Sequence, residues 1–263
     1  QIGEAELAKL PELEAWAKDT AEELNAILEE HGFSIRLTAW QKAPGKFGVV
    51  ALYDITLKWL VEGETESEWG MPYEHDGKPF FRLPLYEAEL GFYETTDAVV
   101  GMIPAKNGDV MCFTRAPKPL EQFELLAEAE RWHTMLMNHS LLIVGKYNGL
   151  RFPNILYNSE KDGPIDISWL CGLHTTDATD QGWRVAEALM QAMFAVGPKG
   201  ARAKVAVAVA MESFSIGGPT DYVADHDLLI WLKRPNLDLP YFVAYVPKEA
   251  FADHTVGLEE IDG

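Results

Sequence analysis

Hydrophobic and polar positions change period several times along this chain. Over residues 4 to 30, Leu7, Leu10, Leu13, Trp16, Leu24, Ile27 and Leu28 recur at steps of three and four, with Glu and Lys between them. That spacing predicts an amphipathic helix, closed by His31-Gly32. The stretch "KFGVVALYDITLKWL" is apolar on both faces at its start and alternates towards Trp59, which predicts one long strand. From Gly77 onward short alternating runs follow one another, and Asn107-Gly108 is a two-residue hairpin turn. Residues 119 to 138 return to helical spacing.

Further on, "GLRFPNILYN" reads as a strand entering a loop and "DISWLCGL" as a short helix. The run "WRVAEALMQAMFAV" fits a helix or a long strand, and its Ala, Glu, Leu, Met and Gln favour helix by propensity. "DLLIWLKRPNLDLPYFVAYVP" is a hairpin around Pro235-Asn236. No repeat or low-complexity linker interrupts these elements, so the pattern predicts one α+β domain over residues 1–263.

Composition narrows the partners. The chain has 263 residues, 22 Lys and Arg against 41 Asp and Glu, and a formal net charge of −19. Such a field repels phosphate backbones and anionic lipid, which argues against nucleic acid or membrane as partner. No apolar run is long enough for a membrane-spanning helix. Cys112 and Cys171 have no metal-ligand spacing and read as two buried thiols, with a single pair as the alternative. The chain opens without Met or a secretory signal pattern, so residue 1 reads as a processing or expression boundary.

Candidate chemistry is sparse. "GPKGARAKV" has the glycines of a phosphate loop, yet Pro198 removes a donor and no Gly-Lys-Ser/Thr follows. His133 and His139 are six apart, on different faces of a helix, and read as independent residues. Asp225-His226-Asp227 fits either a carboxylate-oriented imidazole or a polar strand start. Ser213 and Ser215 lack a nucleophile-elbow context, and Glu64, Glu66 and Glu68 read as a solvated face. No metal and no cofactor are expected.

Taken in order, the segments resemble the serpin family over nearly the whole chain, matching the later part of that family's fold. "LEAWAKDTAEEL" is similar to the helix that lies over the family's main sheet. "VVALYDITLKW" resembles its long central strand ending in a Lys-Trp pair, here Lys58-Trp59. "GKPFFRLPLYEAELGFYETTDAVVGMIPAKNGDVMCFTRAPKPLEQF" resembles its hairpin block. "LRFPNILYN" and "DISWLCGL" are similar to a strand, loop and short helix ending in Cys171-Gly172-Leu173. "VAEALMQAMFAVGPKGARAKVAVAVA" resembles the strand that runs into the reactive loop, and "YVADHDLLIWL" with "LPYFVAYVP" the C-terminal strands.

The resemblance implies a single serpin-like domain that lacks the family's N-terminal helical part, with a large mixed sheet and a second, hairpin-rich sheet. It recasts "AEALMQAMFAV" as a buried strand of the main sheet. It also implies a suicide-substrate inhibitor of a chymotrypsin-like or subtilisin-like serine protease, monomeric, extracellular and of prokaryotic type, with no catalytic residue of its own. Gly200, Ala201, Arg202, Ala203, Lys204, Val205, Ala206, Val207 and Ala208 would be the hinge that inserts into the sheet after cleavage. The family's usual spacing from Gly200 places the bait bond at Phe214-Ser215, with Met211 and Ile216 as alternatives.

Side-chain alternation supports a hinge. In an extended run from Ala201 to Ala210, one face carries only Ala and Val, and the other begins with Arg202 and Lys204. Each new ladder hydrogen bond contributes about 1 kcal/mol and each buried valine about 1.5–3 kcal/mol. Insertion is then comparable in size to the whole stability of a domain. The resemblance places the sheet-opening region at Ala51, Lys58, Trp59 and Met190, and the chain departs from the family there, with Ala51 and Met190 in place of an Asn and a His. It departs again at Asp225-His226-Asp227-Leu228, where the family has Asp-His-Pro-Phe. The alternative reading is a serpin-fold protein that no longer inhibits and instead binds a ligand or hosts a biosynthetic reaction; an enzyme using His133 or His226 is a third.

Overall fold

Among the described residues the first element is a strand rather than a helix. The structure is a computed structural model that describes residues 8–10, 13–40, 47–53, 55–95, 98–116, 118–138, 146–158, 165–173, 184–202 and 220–257. Within them the chain forms two compact units, one from Gln1–Asp54 with Tyr157–Met193 and one from Ile55–Leu156 with Phe194–Gly263.

In the first unit β1 (Leu13–Lys18) leads into α1 (Ala21–Glu30), and β2 (Gly48–Tyr53) pairs antiparallel with β1, Ala15 opposite Ala51. Of the helix expected over residues 4–30, Leu13–Lys18 is therefore strand. The helix boundary is local chemistry. Thr20 sits in extended geometry as N-cap, and its Oγ1 accepts from the Glu23 amide at 3.4 Å and donates to the Glu23 carboxylate at 2.8 Å. Thr20 is thus a side-chain N-cap that satisfies one of the free amides at the start of the helix. At the other end Gly32 takes φ +82° and the Phe33 amide reaches back to the Leu28 carbonyl, so His31-Gly32 closes the helix as expected. Leu24 and Leu28 of α1 pack on Val50 of β2.

The expected long strand is also divided. β2 ends at Tyr53, and the chain resumes as β3 (Leu57–Lys58), which belongs to the second unit and pairs with different strands. There follow β4 (Glu74–His75), β5 (Lys78–Pro84), β6 (Gly91–Glu94), β7 (Val99–Pro104) and β8 (Val110–Arg115). The turn between β7 and β8 is the expected Asn107-Gly108, with Gly108 at φ +89°. α2 (Phe123–Asn138) is followed by β9 (Gly149–Pro153) and β10 (Ile155–Asn158), and a single 3-10 turn spans Ser168–Leu170. The last strands are β11 (Met193–Gly197), β12 (Gly200–Arg202), β13 (Tyr222–Val223), β14 (Leu228–Lys233) and β15 (Phe242–Val246).

Two sheets lie wholly in the second unit, and a third has most of its residues there. A five-stranded antiparallel sheet runs β15-β14-β8-β7-β6, and every residue of β14 is buried. One face of that sheet is covered by α2, through Ala129, Trp132 and Leu136 against Cys112, Leu229 and Trp231. Its other face meets the β13-β9-β5-β4 sheet through Phe113, whose ring centroid is 4.9 Å from that of Phe152. The third sheet runs β10-β11-β12-β3.

The expected buried strand over "AEALMQAMFAV" is shorter than the resemblance implies. Only Met193–Gly197 is strand, and Val185, Leu189 and Met190 are exposed. Upstream, side chains make the connections. Gln191 Oε1 accepts from the amides of Ser34 (2.9 Å) and Ile35 (3.1 Å), and the Glu187 carboxylate accepts from the Thr38 amide at 2.9 Å.

Candidate functional site

The hinge predicted from sequence begins inside a sheet. β11 and β12 form a tight hairpin around Pro198-Lys199, with Gly197 opposite Gly200, Val196 opposite Ala201 and Ala195 opposite Arg202. The outer edge of β12 pairs with β3, Gly200 opposite Lys58 and Ala201 opposite Leu57, again antiparallel. Gly200–Arg202 is thus a middle strand with a partner on each side. Ala195, Val196, Ala201, Leu57 and Trp59 around it are all buried.

The turn is held by its carbonyls. Gly63 donates its amide to the Pro198 oxygen at 2.6 Å, and Trp59 donates its indole N–H to the Gly197 oxygen at 3.0 Å. The two glycines are required by close approach. A Cβ on Gly200 would stand 2.0 Å from the Leu57 oxygen, and one on Gly197 would stand 2.3 Å from the Val256 oxygen. Any side chain at either position forces the sheet apart.

A second anchor holds the chain where it returns, at residue 220. β13 lies parallel to β9, Tyr222 opposite Leu150, and just before it the Asp221 side chain is 9% exposed. One Asp221 oxygen accepts from Arg82 Nε and from Arg151 Nε, each at 3.0 Å. Arg82 Nη1 donates further to Glu64 Oε2 at 3.1 Å, and the Arg151 guanidinium lies over the Tyr73 ring, 4.8 Å from its centre. Burial works against the Arg82 charge, and the Asp221 and Glu64 carboxylates more than offset it. On one side of residues 203–219, Arg202 ends β12; on the other, Asp221 is tied by its side chain to β5 and β9.

No model of a known protein family matches the chain, and no curated protein matches it either. Solved structures do match. Serpin48 of the insect Tenebrio molitor aligns with a TM-score of 0.51 at 14% identity, over 86% of this chain and 64% of that one. Human thyroxine-binding globulin, solved with thyroxine, aligns at 0.53 and 15%, over 86% and 63%. The thermophilic serpin Tengpin in its native state aligns at 0.54 and 12%, over 92% and 76%. The fold is the serpin fold. At these identities the likeness is one of fold, and the chain spans less than two thirds of the length of the first two.

Within this serpin fold the sequence-predicted residues fall in several places. Gly200, Ala201, Lys58 and Trp59 come together at the β12–β3 edge, and the backbone of Arg202 ends β12. Ala51 is exposed in β2 and Met190 bridges to Ile165, so these two stand on different ladders of the first unit. Ala203, Lys204, Val205, Ala206, Val207, Ala208, Met211, Ser213, Phe214, Ser215 and Ile216 lie outside the described residues, as does His139. Both cysteines are free thiols. Cys112 is buried, which pushes its pKa up to about 12, whereas Cys171 is exposed and departs from the expected pair of buried thiols. Sequence reasoning missed Asp221, Arg82 and Arg151 altogether. They are ordinary charged residues in a chain full of them, brought together only by the fold.

Asp225-His226-Asp227 realises the carboxylate-oriented imidazole. Asp225 stands between two histidines, its Oδ1 3.3 Å from His226 Nδ1 and its Oδ2 2.9 Å from His75 Nε2. The Tyr222 hydroxyl lies 3.4 Å from His226 Nε2. Asp227 accepts from Tyr245 Oη at 2.7 Å and from the Lys248 amide at 3.0 Å. Burial holds His226 below its ordinary range, against the pull of Asp225 and Asp227 and with help from Arg115. The sign follows from linkage. As pH falls below about 6.5 the unfolded chain takes up the proton that folded His226 resists, so stability declines with acidification. His226→Asn should flatten the fall in melting temperature between about pH 7 and pH 5; an unchanged slope would assign it elsewhere, His133 being the other histidine that burial lowers. Among the described residues no cluster of three or more His, Cys, Asp or Glu is arranged to hold a metal ion, and no helix is long and apolar enough to cross a membrane.

Proposed function

We propose that this protein is a suicide-substrate inhibitor of a serine protease, with Gly200–Ala208 as the inserting hinge and Phe214-Ser215 as the bait bond. The observation that carries this reading is the position of Gly200–Arg202, the first residues of that hinge, as a strand between β11 and β3 and antiparallel to both. Continuing the same register after cleavage requires β11 and β3 to part and accept the following Ala and Val residues. Released strain of this kind supplies work from one segment entering a sheet.

Chemistry in the complex belongs to the protease. Its serine attacks the carbonyl of Phe214, the Phe214-Ser215 peptide bond breaks, and Ser215 leaves as a free amine. The acyl-enzyme ester stays attached to a hinge that is withdrawing into the sheet. An aromatic residue before the bond suits a protease with an apolar primary pocket. The protein supplies no nucleophile and uses no cofactor.

A second reading is ligand carriage on the same fold, favoured by the likeness to thyroxine-binding globulin, which was solved with thyroxine. Incubation with chymotrypsin followed by denaturing electrophoresis separates the two. The inhibitor gives a denaturation-resistant adduct of protease and protein, which Phe214→Pro abolishes, and the cleaved protein melts at a higher temperature than the intact one. Clean cleavage with no adduct and no gain in melting temperature would move the assignment to a carrier.

A further inference from the structure

The most exposed large apolar side chain among the described residues is not in the hinge. It is Trp69, 82% exposed, with Met71 at 65% two residues on, at the tip of a hairpin that spans residues 64–74. The hairpin is closely paired for its size. Glu66 pairs with Pro72 and Glu64 with Arg82, the Ser67 amide donates to the Met71 oxygen at 2.8 Å, and the Gly70 amide donates to the Ser67 oxygen at 2.9 Å. Gly70 takes φ +70°, so the loop is a type I turn followed by a left-handed glycine. A tip fixed in this way presents Trp69 to solvent at little further entropic cost on binding.

Charge and position single it out further. From residue 61 to residue 77 the chain has no Lys or Arg, and Glu66, Glu68 and Glu74 stand exposed around the apolar pair. The base of the hairpin touches both anchors of the segment carrying the proposed bait bond. Gly63 donates to the Pro198 oxygen at 2.6 Å, just before the hinge, and Glu64 accepts from Arg82, which holds Asp221 just after it. The two described ends of that segment, at Arg202 and Thr220, therefore both lie next to residues that contact the base of this hairpin.

We propose that the 64–74 hairpin is a separate docking site for the protease, and that it selects a protease with an apolar recess, rimmed by Lys or Arg, beside its active-site cleft. This rests on the inhibitor reading and adds a determinant of target choice outside the bait bond. A buried Trp at the centre of an interface is a typical source of binding energy, and an acidic rim speeds encounter with a basic partner.

The test uses chymotrypsin and subtilisin, each in its active form and with its catalytic serine replaced by alanine. Binding of the inactive proteases is measured by surface plasmon resonance, and the rate of adduct formation is measured with the active ones. For at least one protease, Trp69→Ala is expected to weaken binding at least tenfold and to slow adduct formation by a similar factor, with the fraction of cleaved molecules trapped unchanged. Glu66→Lys with Glu68→Lys should lower the association rate, and raising ionic strength from about 0.05 M to about 0.5 M should lower that of wild type. Because Trp69 is exposed, its variant should melt with wild type. Equal affinity and rate for Trp69→Ala and wild type would overturn the docking site and leave the inhibitor reading standing. Binding that depends on Trp69 with no adduct from the active enzyme would keep the docking site and overturn inhibition. No binding of either inactive protease overturns the docking site.

Discussion

On the proposed inhibitor reading, Ala201→Asp is expected to convert the protein from an inhibitor into a substrate of the same protease. Ala201 is 3% exposed, with Val196 on one side of its strand and Leu57 on the other. A carboxylate there has no partner, and burying an unpaired charge costs several kcal/mol before any pKa adjustment. β12 then cannot hold its place between β11 and β3, and insertion has no starting register. With chymotrypsin the expected products are cleaved protein and free, active protease in place of the adduct. The rise in melting temperature on cleavage should vanish too. Cleavage itself should continue, because the proposed bait bond is untouched. An adduct yield equal to that of wild type would mean that insertion does not begin at β12.

The second large effect is at the other anchor. Asp221→Asn replaces a carboxylate that holds two guanidinium groups with an amide that offers one acceptor oxygen and no charge. Arg82, half-buried, keeps only Glu64. Removing one partner from a pair of this burial costs about 3 kcal/mol, which corresponds to about 6–12 °C in melting temperature for a domain of this size. A double-mutant cycle with Arg82→Gln separates pairing from packing: the two changes together should cost less than the sum of each alone. Strict additivity would show that Asp221 acts through its backbone position only. The loss should be larger in low salt than in high, to the modest degree expected for a mostly buried network.

The two anchors differ in how they depend on acid. Asp227, close to the second, is held below the ordinary carboxylate range, first by the Lys248 amide and then by the Tyr245 hydroxyl. Its contribution is present above the unfolded value and is lost only as pH falls through the lowered one. His226 acts earlier in the descent. Acidification from neutral pH therefore acts first on the segment after β13 that carries His226, while the β11–β12–β3 ladder is joined by backbone pairing.

Several features were legible in the sequence because they are decided within a few residues. The Gly32 stop, the Asn107-Gly108 turn, α2 and the hairpin from Leu228 to Val246 all follow from local turn and side-chain patterns. The Thr20 N-cap is equally local, and it marks the start of α1. The alternation from Ala201 onward and the order of segments carried the serpin resemblance, which solved structures match in fold.

Other features were settled only by tertiary contact. Leu13–Lys18 has helical spacing, yet β2 offers it a ladder, and a strand that finds a partner outweighs propensities of a few tenths of a kcal/mol per residue. "VVALYDITLKW" reads as one strand, but its two halves find different partners, so Tyr53 and Leu57 belong to separate sheets. Gly197 and Gly200 look like ordinary turn glycines until Val256 and Leu57 are seen against them. Asp221 meets Arg82 from 139 residues away, a distance over which sequence periodicity holds no information. The sequence by itself determined where the chain turns and where the hairpins around Asn107-Gly108 and Pro235-Asn236 lie. The tertiary structure decided which strands are paired and which carboxylate is clamped, because pairing energy depends on a partner's position in space and not on the residue alone.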